Sequence, residues 1–117
     1  LIQILKWDEI EQLVKNVNTW TSLGSLVFVT AFTTGDPTFE RNAKNFRKIG
    51  KNSFENNEGA AYTYLEDNEI LSLFKNFKAL YHHEGLGPEH RHGDRPPHRH
   101  ASVEAVFKKM DRGEYIV

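Results

Sequence analysis

The segment from Leu23 to Thr33, Leu-Gly-Ser-Leu-Val-Phe-Val-Thr-Ala-Phe-Thr, restricts the fold more than any other stretch of this chain. Apolar groups fall on both parities, with Leu26, Phe28 and Phe32 on one and Val27, Val29 and Ala31 on the other. A strand buried on both faces has this pattern, whereas a half-exposed strand alternates apolar with polar residues. The segment is therefore expected to be the central strand of a covered sheet.

The rest of the chain supplies the cover. Leu1 to Leu5 is short, apolar and β-branched at Ile2 and Ile4, and reads as a first strand. Asp8, with Glu11 three residues on, has the spacing of a capping box for a helix that carries Ile10, Leu13, Val14 and Val17 and ends near Asn18. Gly35-Asp36-Pro37 combines a turn glycine, an N-cap acid and a proline at the first helical position, so a second helix is expected from Pro37 to Ile49. Its inward residues would be Phe39, Ala43, Phe46 and Ile49, with Gly50 as the stop. The polar stretch from Gly50 to Gly59 reads as a surface loop, and Ala60 to Leu65 as a third strand.

Asp67 can cap a third helix with the stripe Ile70, Phe74, Phe77 and Tyr81. Ser102 can cap a fourth, bearing Val103, Val106, Phe107 and Met110, and Glu114 to Val117 can add a closing strand. At 117 residues with 38% hydrophobic composition there is material for one core. The expectation is a single compact α+β domain over 1–117. It has a three- or four-stranded mixed sheet covered by about four helices, and a His/Pro/Gly-rich loop near 84–101.

Composition excludes several function classes. The chain has no cysteine, which removes disulfide scaffolds, thiolate zinc sites and thiol nucleophiles. Its longest apolar run, around Leu26 to Phe32, is far below the roughly 20 residues of a membrane helix, so a cytoplasmic protein without membrane contact is expected. No basic segment followed by an apolar one opens the sequence. Walker, Gly-x-Gly-x-x-Gly and Gly-x-Ser-x-Gly motifs are absent, which disfavours a nucleotide-dependent enzyme.

Two constellations carry chemistry. All six histidines lie between His82 and His100, and four form the His-x-His pairs His90 with His92 and His98 with His100. In an extended segment residues i and i+2 point the same way, so each pair can offer two imidazoles to one divalent ion, zinc or manganese, with Glu84, Glu89 and Asp94 as oxygen donors. The bland alternative is a polar loop of titratable residues, with His82 and His83 closing a helix.

The second is a run of five cations without an acid, Arg41, Lys44, Arg47, Lys48 and Lys51. On a continuous helix the last four share a face that could track phosphates, and Arg91, Arg95 and Arg99 could extend it. A solvated helix face accounts for the same charges. The formal net charge of −1 supplies no general attraction to polyanions, so any such contact must be local.

Three readings follow. The first is a nucleic-acid-binding or nucleic-acid-processing protein with DNA or RNA as partner. The second is a metal-binding module or metal-dependent hydrolase, and the third a non-catalytic protein-interaction or inhibitor module.

Overall fold

In the computed structural model of this protein, residues 1–86 and 100–110 are described. Their elements are α1 (Trp7–Trp20), β1 (Leu26–Phe32), α2 (Pro37–Asn45), β2 (Arg47–Gly50), β3 (Ser53–Glu55), β4 (Ala61–Thr63), α3 (Glu69–Leu73), β5 (Phe77–Leu86) and β6 (Ala101–Lys109). The α+β class is as expected. The strands form two antiparallel three-stranded sheets, β1-β6-β5 and β2-β3-β4, in place of one mixed sheet, with three α-helices among the described residues.

The large sheet is organised around β6. Val29, Ala31 and Thr33 lie opposite Ala105, Val103 and Ala101. On β6, Ala101, Val103, Ala105 and Phe107 are all buried. This period of two was present in the sequence, but Val103, Val106, Phe107 and Met110 also match a helix. Pairing with strands on both sides decides for β6, because a central strand satisfies all its backbone groups while its β-branched residues pack on a pleated surface. The expected fourth helix is therefore a strand. The closing strand at 114–117 lies outside the described residues.

The same competition shortens the expected third helix. Only Glu69–Leu73 is helical, and Phe77–Leu86 pairs with β6 from Phe77 opposite Lys109 to Leu86 opposite Ala101. Phe74 stacks on Phe107 with ring centroids 4.8 Å apart, so the apolar stripe is buried as intended but by a turn of helix followed by a strand. Asp67 does not cap it; the N-cap is Asn68, in the left-handed region at φ 64°. The Glu84 carboxylate accepts from Asn68 N–H at 3.1 and 3.2 Å.

α1 packs on the inner face of this sheet through Ile10, Leu13, Val14 and Val17. It begins two residues before Asp8, at an N-cap on Lys6, whose N–H donates to Glu9 at 2.9 Å. At its other end the Lys109 ammonium donates to the carbonyl oxygens of Asn18 and Thr21, supplying protons to helix-end carbonyls that have no intrahelical partner. The expected first strand is instead a 3₁₀ turn over Ile2–Ile4, with Ile2 in the core.

The small sheet holds this turn. Thr63 Oγ1 donates to Leu5 O at 2.6 Å, which leaves Ser53 Oγ to donate to Thr63 at 2.7 Å, since a hydroxyl has one proton. Trp7 Nε1 donates to Lys51 O at 2.6 Å, and a Cβ on Gly50 would stand 3.1 Å from the Trp7 ring, so the tight β2-β3 turn packs beneath the indole.

β1 departs most from expectation. It is an edge strand, with Val29 and Ala31 buried, but Leu26 is 51% and Phe28 75% exposed. Only one of its two apolar faces is covered among the described residues.

Phe107→Ala is expected to destabilise the protein by about 3–5 kcal/mol in urea unfolding, the usual cost of emptying a buried aromatic site. Thr63→Val should cost about 1–3 kcal/mol, because Leu5 O loses its donor without a change in side-chain volume.

Candidate functional site

A buried polar cluster stands where β1 ends and α2 begins. Thr33-Thr34-Gly35 turns the chain, with Asp36 N–H donating to Thr33 O at 2.9 Å, and Pro37 starts the helix. Asp36 is the expected N-cap, accepting from Thr38 N–H at 3.0 Å. Its second oxygen accepts from Ala101 N–H at 2.9 Å and faces His100 Nδ1 at 3.1 Å. One buried carboxylate thus ties the start of α2 to the start of β6.

The proton count orients the rest. Thr38 Oγ1 spends its proton on Asp36, so Tyr64 OH donates to Thr38 at 2.8 Å, and Asn42 Nδ2 donates to Tyr64 at 2.7 Å. Burial holds the Tyr64 hydroxyl above the usual phenol range, against opposing hydrogen bonds from Thr38 and Asn42. Phe39 meets the Tyr64 ring edge-on at 5.1 Å, and Phe32 stacks on the His100 imidazole at 4.8 Å. With Nδ1 against a carboxylate, His100 is held as the Nδ1–H tautomer in its neutral form. Reading Asp36 only as a cap missed this role; the signal was a buried-type strand running directly into Thr-Thr-Gly-Asp-Pro-Thr.

The structure separates the residues that the sequence grouped. α2 stops at Asn45 because Phe46 turns into the extended backbone leading to β2, where it stacks on Tyr62 at 5.6 Å. The single cationic face is therefore broken. Arg47 pairs with Glu55, Lys44 with Glu40, and Lys51 with Glu69 and Glu66, while Arg41 and Lys48 are exposed. Ala43, expected inside, is exposed; Asn42 is buried in its place.

His82 and His83 lie on β5, not at a helix end, and His82 Nε2 sits 3.6 Å from Glu84 Oε1. Leu86 lies opposite Ala101 where β5 pairs with β6. His90, His92, His98, Arg91, Arg95 and Arg99 lie outside the described residues, as do Glu89 and Asp94. Among the described residues no group of three metal-ligating side chains converges.

No family model and no curated protein matches the sequence. Solved structures do share its fold. TehB from Haemophilus influenzae matches 92% of this chain with a TM-score of 0.59 at 14% identity, and the match spans 32% of TehB. A SAM-dependent methyltransferase from Methanosarcina mazei matches 88% of this chain with a TM-score of 0.61 at 14% identity, spanning 52% of that protein. That likeness establishes the fold. This chain thus corresponds to about a third of one neighbour's length and about half of the other's.

The functions expected from the sequence are corrected here. Nucleic-acid binding or processing, a metal-binding or hydrolytic domain, and a non-catalytic interaction or inhibitor module all give way to a fold shared with a SAM-dependent methyltransferase. The physical reasons agree with that. The cationic run is split between a helix and a strand, and three of its five members sit in ion pairs.

Asp36→Asn is expected to cost about 2–3 kcal/mol, since an amide cannot accept from donors on both sides of the carboxylate. In ¹⁵N NMR it should also shift the neutral His100 ring away from the Nδ1–H tautomer. Hydrogen bonds from Arg47 and then Lys6 hold the Glu55 carboxyl below its ordinary range. A lowered folded-state value adds stability that is present above the unfolded carboxylate range and lost as pH falls through the folded value. Arg47→Met should therefore flatten the acid limb of a stability-against-pH curve and leave the neutral-to-alkaline limb parallel to wild type.

Proposed function

We propose that this chain is part of a SAM-dependent methyltransferase, contributing the portion of the sheet whose β1 carboxyl end carries the Asp36, His100 and Tyr64 corner. The observation that carries the reading is the match of 88% of this chain to a methyltransferase of about twice the matched length. The buried polar corner stands at the carboxyl end of β1 and the amino end of its antiparallel neighbour β6.

The buried corner does not by itself fit SAM. A nucleoside cofactor needs a carboxylate with spare acceptor capacity for its ribose hydroxyls. Asp36, the buried carboxylate of the corner, already accepts from Thr38, His100 and Ala101. The reading accordingly assigns cofactor binding to polypeptide outside residues 1–117, and gives this chain the task of shaping the adjoining wall. The two solved neighbours, each longer than this chain, leave room for that division.

Calorimetric titration of the isolated 117-residue chain with SAM is expected to show no saturable heat. The polypeptide that carries this sequence in its own cells should retain SAM stoichiometrically in native mass spectrometry and incorporate a labelled methyl group into an acceptor. A cellular polypeptide that neither retains SAM nor transfers its methyl group would overturn the proposal.

A further inference from the structure

Two apolar cores stand among the described residues. That of the frame, the large sheet with α1 and α3, gathers Ile2, Ile10, Val29, Ala31, Leu65 and Ile70 with residues of β5 and β6, and takes none from Thr34 to Tyr64. That stretch holds α2, β2, β3 and β4 and has packing of its own. Phe39 meets Phe54 at 5.9 Å and Tyr64 at 5.1 Å, and Phe46 stacks on Tyr62 at 5.6 Å. Phe54, Ala61 and Tyr64 are buried without joining the frame core.

The chain leaves the frame at Thr33 and returns at Leu65, and the two crossings form a parallel bridge. Leu65 N–H donates to Phe32 O at 2.9 Å and Thr34 N–H to Leu65 O at 3.0 Å. Just beyond this neck the Asp36 carboxylate accepts from both bodies, from Thr38 N–H at 3.0 Å and from Ala101 N–H at 2.9 Å. Farther out, hydrogen bonds and ion pairs join the bodies: Thr63 on Leu5, Trp7 on Lys51, Asn52 on Glu66, Lys6 on Glu55, and Lys51 on Glu69 and Glu66. Trp7 packs on the frame core and meets the other body at Gly50, which has no side chain to bury. A cleft of about 560 Å³ separates Ile4, Lys6 and Glu9 from Gly59, Ala60 and Tyr62 at the β3-β4 hairpin, so this part of the interface is not close-packed.

We infer that residues 37–64 are a hinged flap, which swings off the frame as one body about the Thr33–Leu65 neck and the Asp36 carboxylate. Water replaces each polar contact of the interface at small net cost, whereas pulling β1 from β6 or Phe39 from Tyr64 empties a packed site. Regions with few apolar contacts to the rest open most readily, and a short neck between two packed bodies takes up the motion. Lys51 is the latch. Its carbonyl takes the Trp7 indole proton and its ammonium reaches Glu66 and Glu69, so one residue ties the flap to α1 and to the start of α3. The flap is a property of this chain and does not depend on the methyltransferase reading.

The chain has no cysteine, so one introduced thiol reports on one place. Ser53, 1% exposed, pairs with Thr63 on the sheet face that meets Leu5, while Ala105, 3% exposed, lies in the frame core. Ser53→Cys and Ala105→Cys variants of the 117-residue chain are treated with dithionitrobenzoate over a urea series below the unfolding transition. The thiol at position 53 is expected to react about 100-fold faster than that at 105, the gap between opening a sub-global unit and unfolding the whole. Its rate should hardly change with urea, because a swing about a neck exposes little surface and global unfolding exposes most of it. Lys51→Met in the Ser53→Cys background should speed the reaction about threefold. Equal rates at 53 and 105, a urea slope at 53 as steep as at 105, or an unchanged rate with Lys51→Met overturns the inference. Ala61→Cys, on the same sheet face, carries the same expectations and serves where Ser53→Cys does not fold.

Discussion

The register between β1 and β6 is the constraint on which the remaining structure depends. With Val29 opposite Ala105 and Ala31 opposite Val103, the odd residues of both strands face α1 and form the centre of the core. A slip of β1 by one residue against β6 would turn Leu26, Phe28 and Thr30 inward and push Val27, Val29 and Ala31 out. Two polar contacts secure the ends of the ladder. The Lys109 side chain reaches from the end of β6 to cap α1, and Asp36 takes the backbone amide of Ala101 at the opposite end. The polar corner is thus a by-product of register: it exists because β6 starts where β1 stops.

From that frame the small sheet and α2 follow as an insertion between β1 and α3. Thr63 on Leu5 and Trp7 on Lys51 tie the insertion to the frame, and Tyr64 on Thr38 ties the small-sheet segment to α2. All three use side-chain polar atoms on backbone or hydroxyl groups, which ties the insertion to the core without needing a large apolar core of its own. Phe39 meets Phe54 and Tyr64 edge to face, and Phe46 stacks on Tyr62.

Legibility in the sequence tracked how local the deciding interaction is. β1, α1, the Asp36-Pro37 start of α2 and β4 were readable, since caps, proline and short-range alternation act within a few residues. β5 and β6 were not. Phe74, Phe77 and Tyr81, like Val103, Val106 and Phe107, satisfy a helical period and a strand period at once, and only pairing partners far along the chain choose between them. The candidate site was half visible. Asp36 and His100 were both noticed, one as a cap and one as a metal ligand, but their contact spans 64 residues and no spacing rule reports it. The cationic run misled for the opposite reason: it assumed one helix where the chain passes through Phe46 into β2.

The apolar character of β1 on both parities, which implied a strand covered on two sides, is matched on one side only among the described residues. Its uncovered side and its uncovered edge coincide, and the fold recurs as a fraction of longer proteins. Among the described residues β1 is thus an edge strand with a polar corner at one end.

Residue-resolved amide exchange on the isolated 117-residue chain tests this most directly. Slow exchange at Val27, Val29 and Ala31, alternating with fast exchange at Phe28 and Thr30, together with slow exchange throughout Val103 to Phe107, is the result expected of an edge strand paired to a central one. Uniform protection along β1 would contradict the open edge, and fast exchange across Val103 to Phe107 would contradict the β1-β6 register itself.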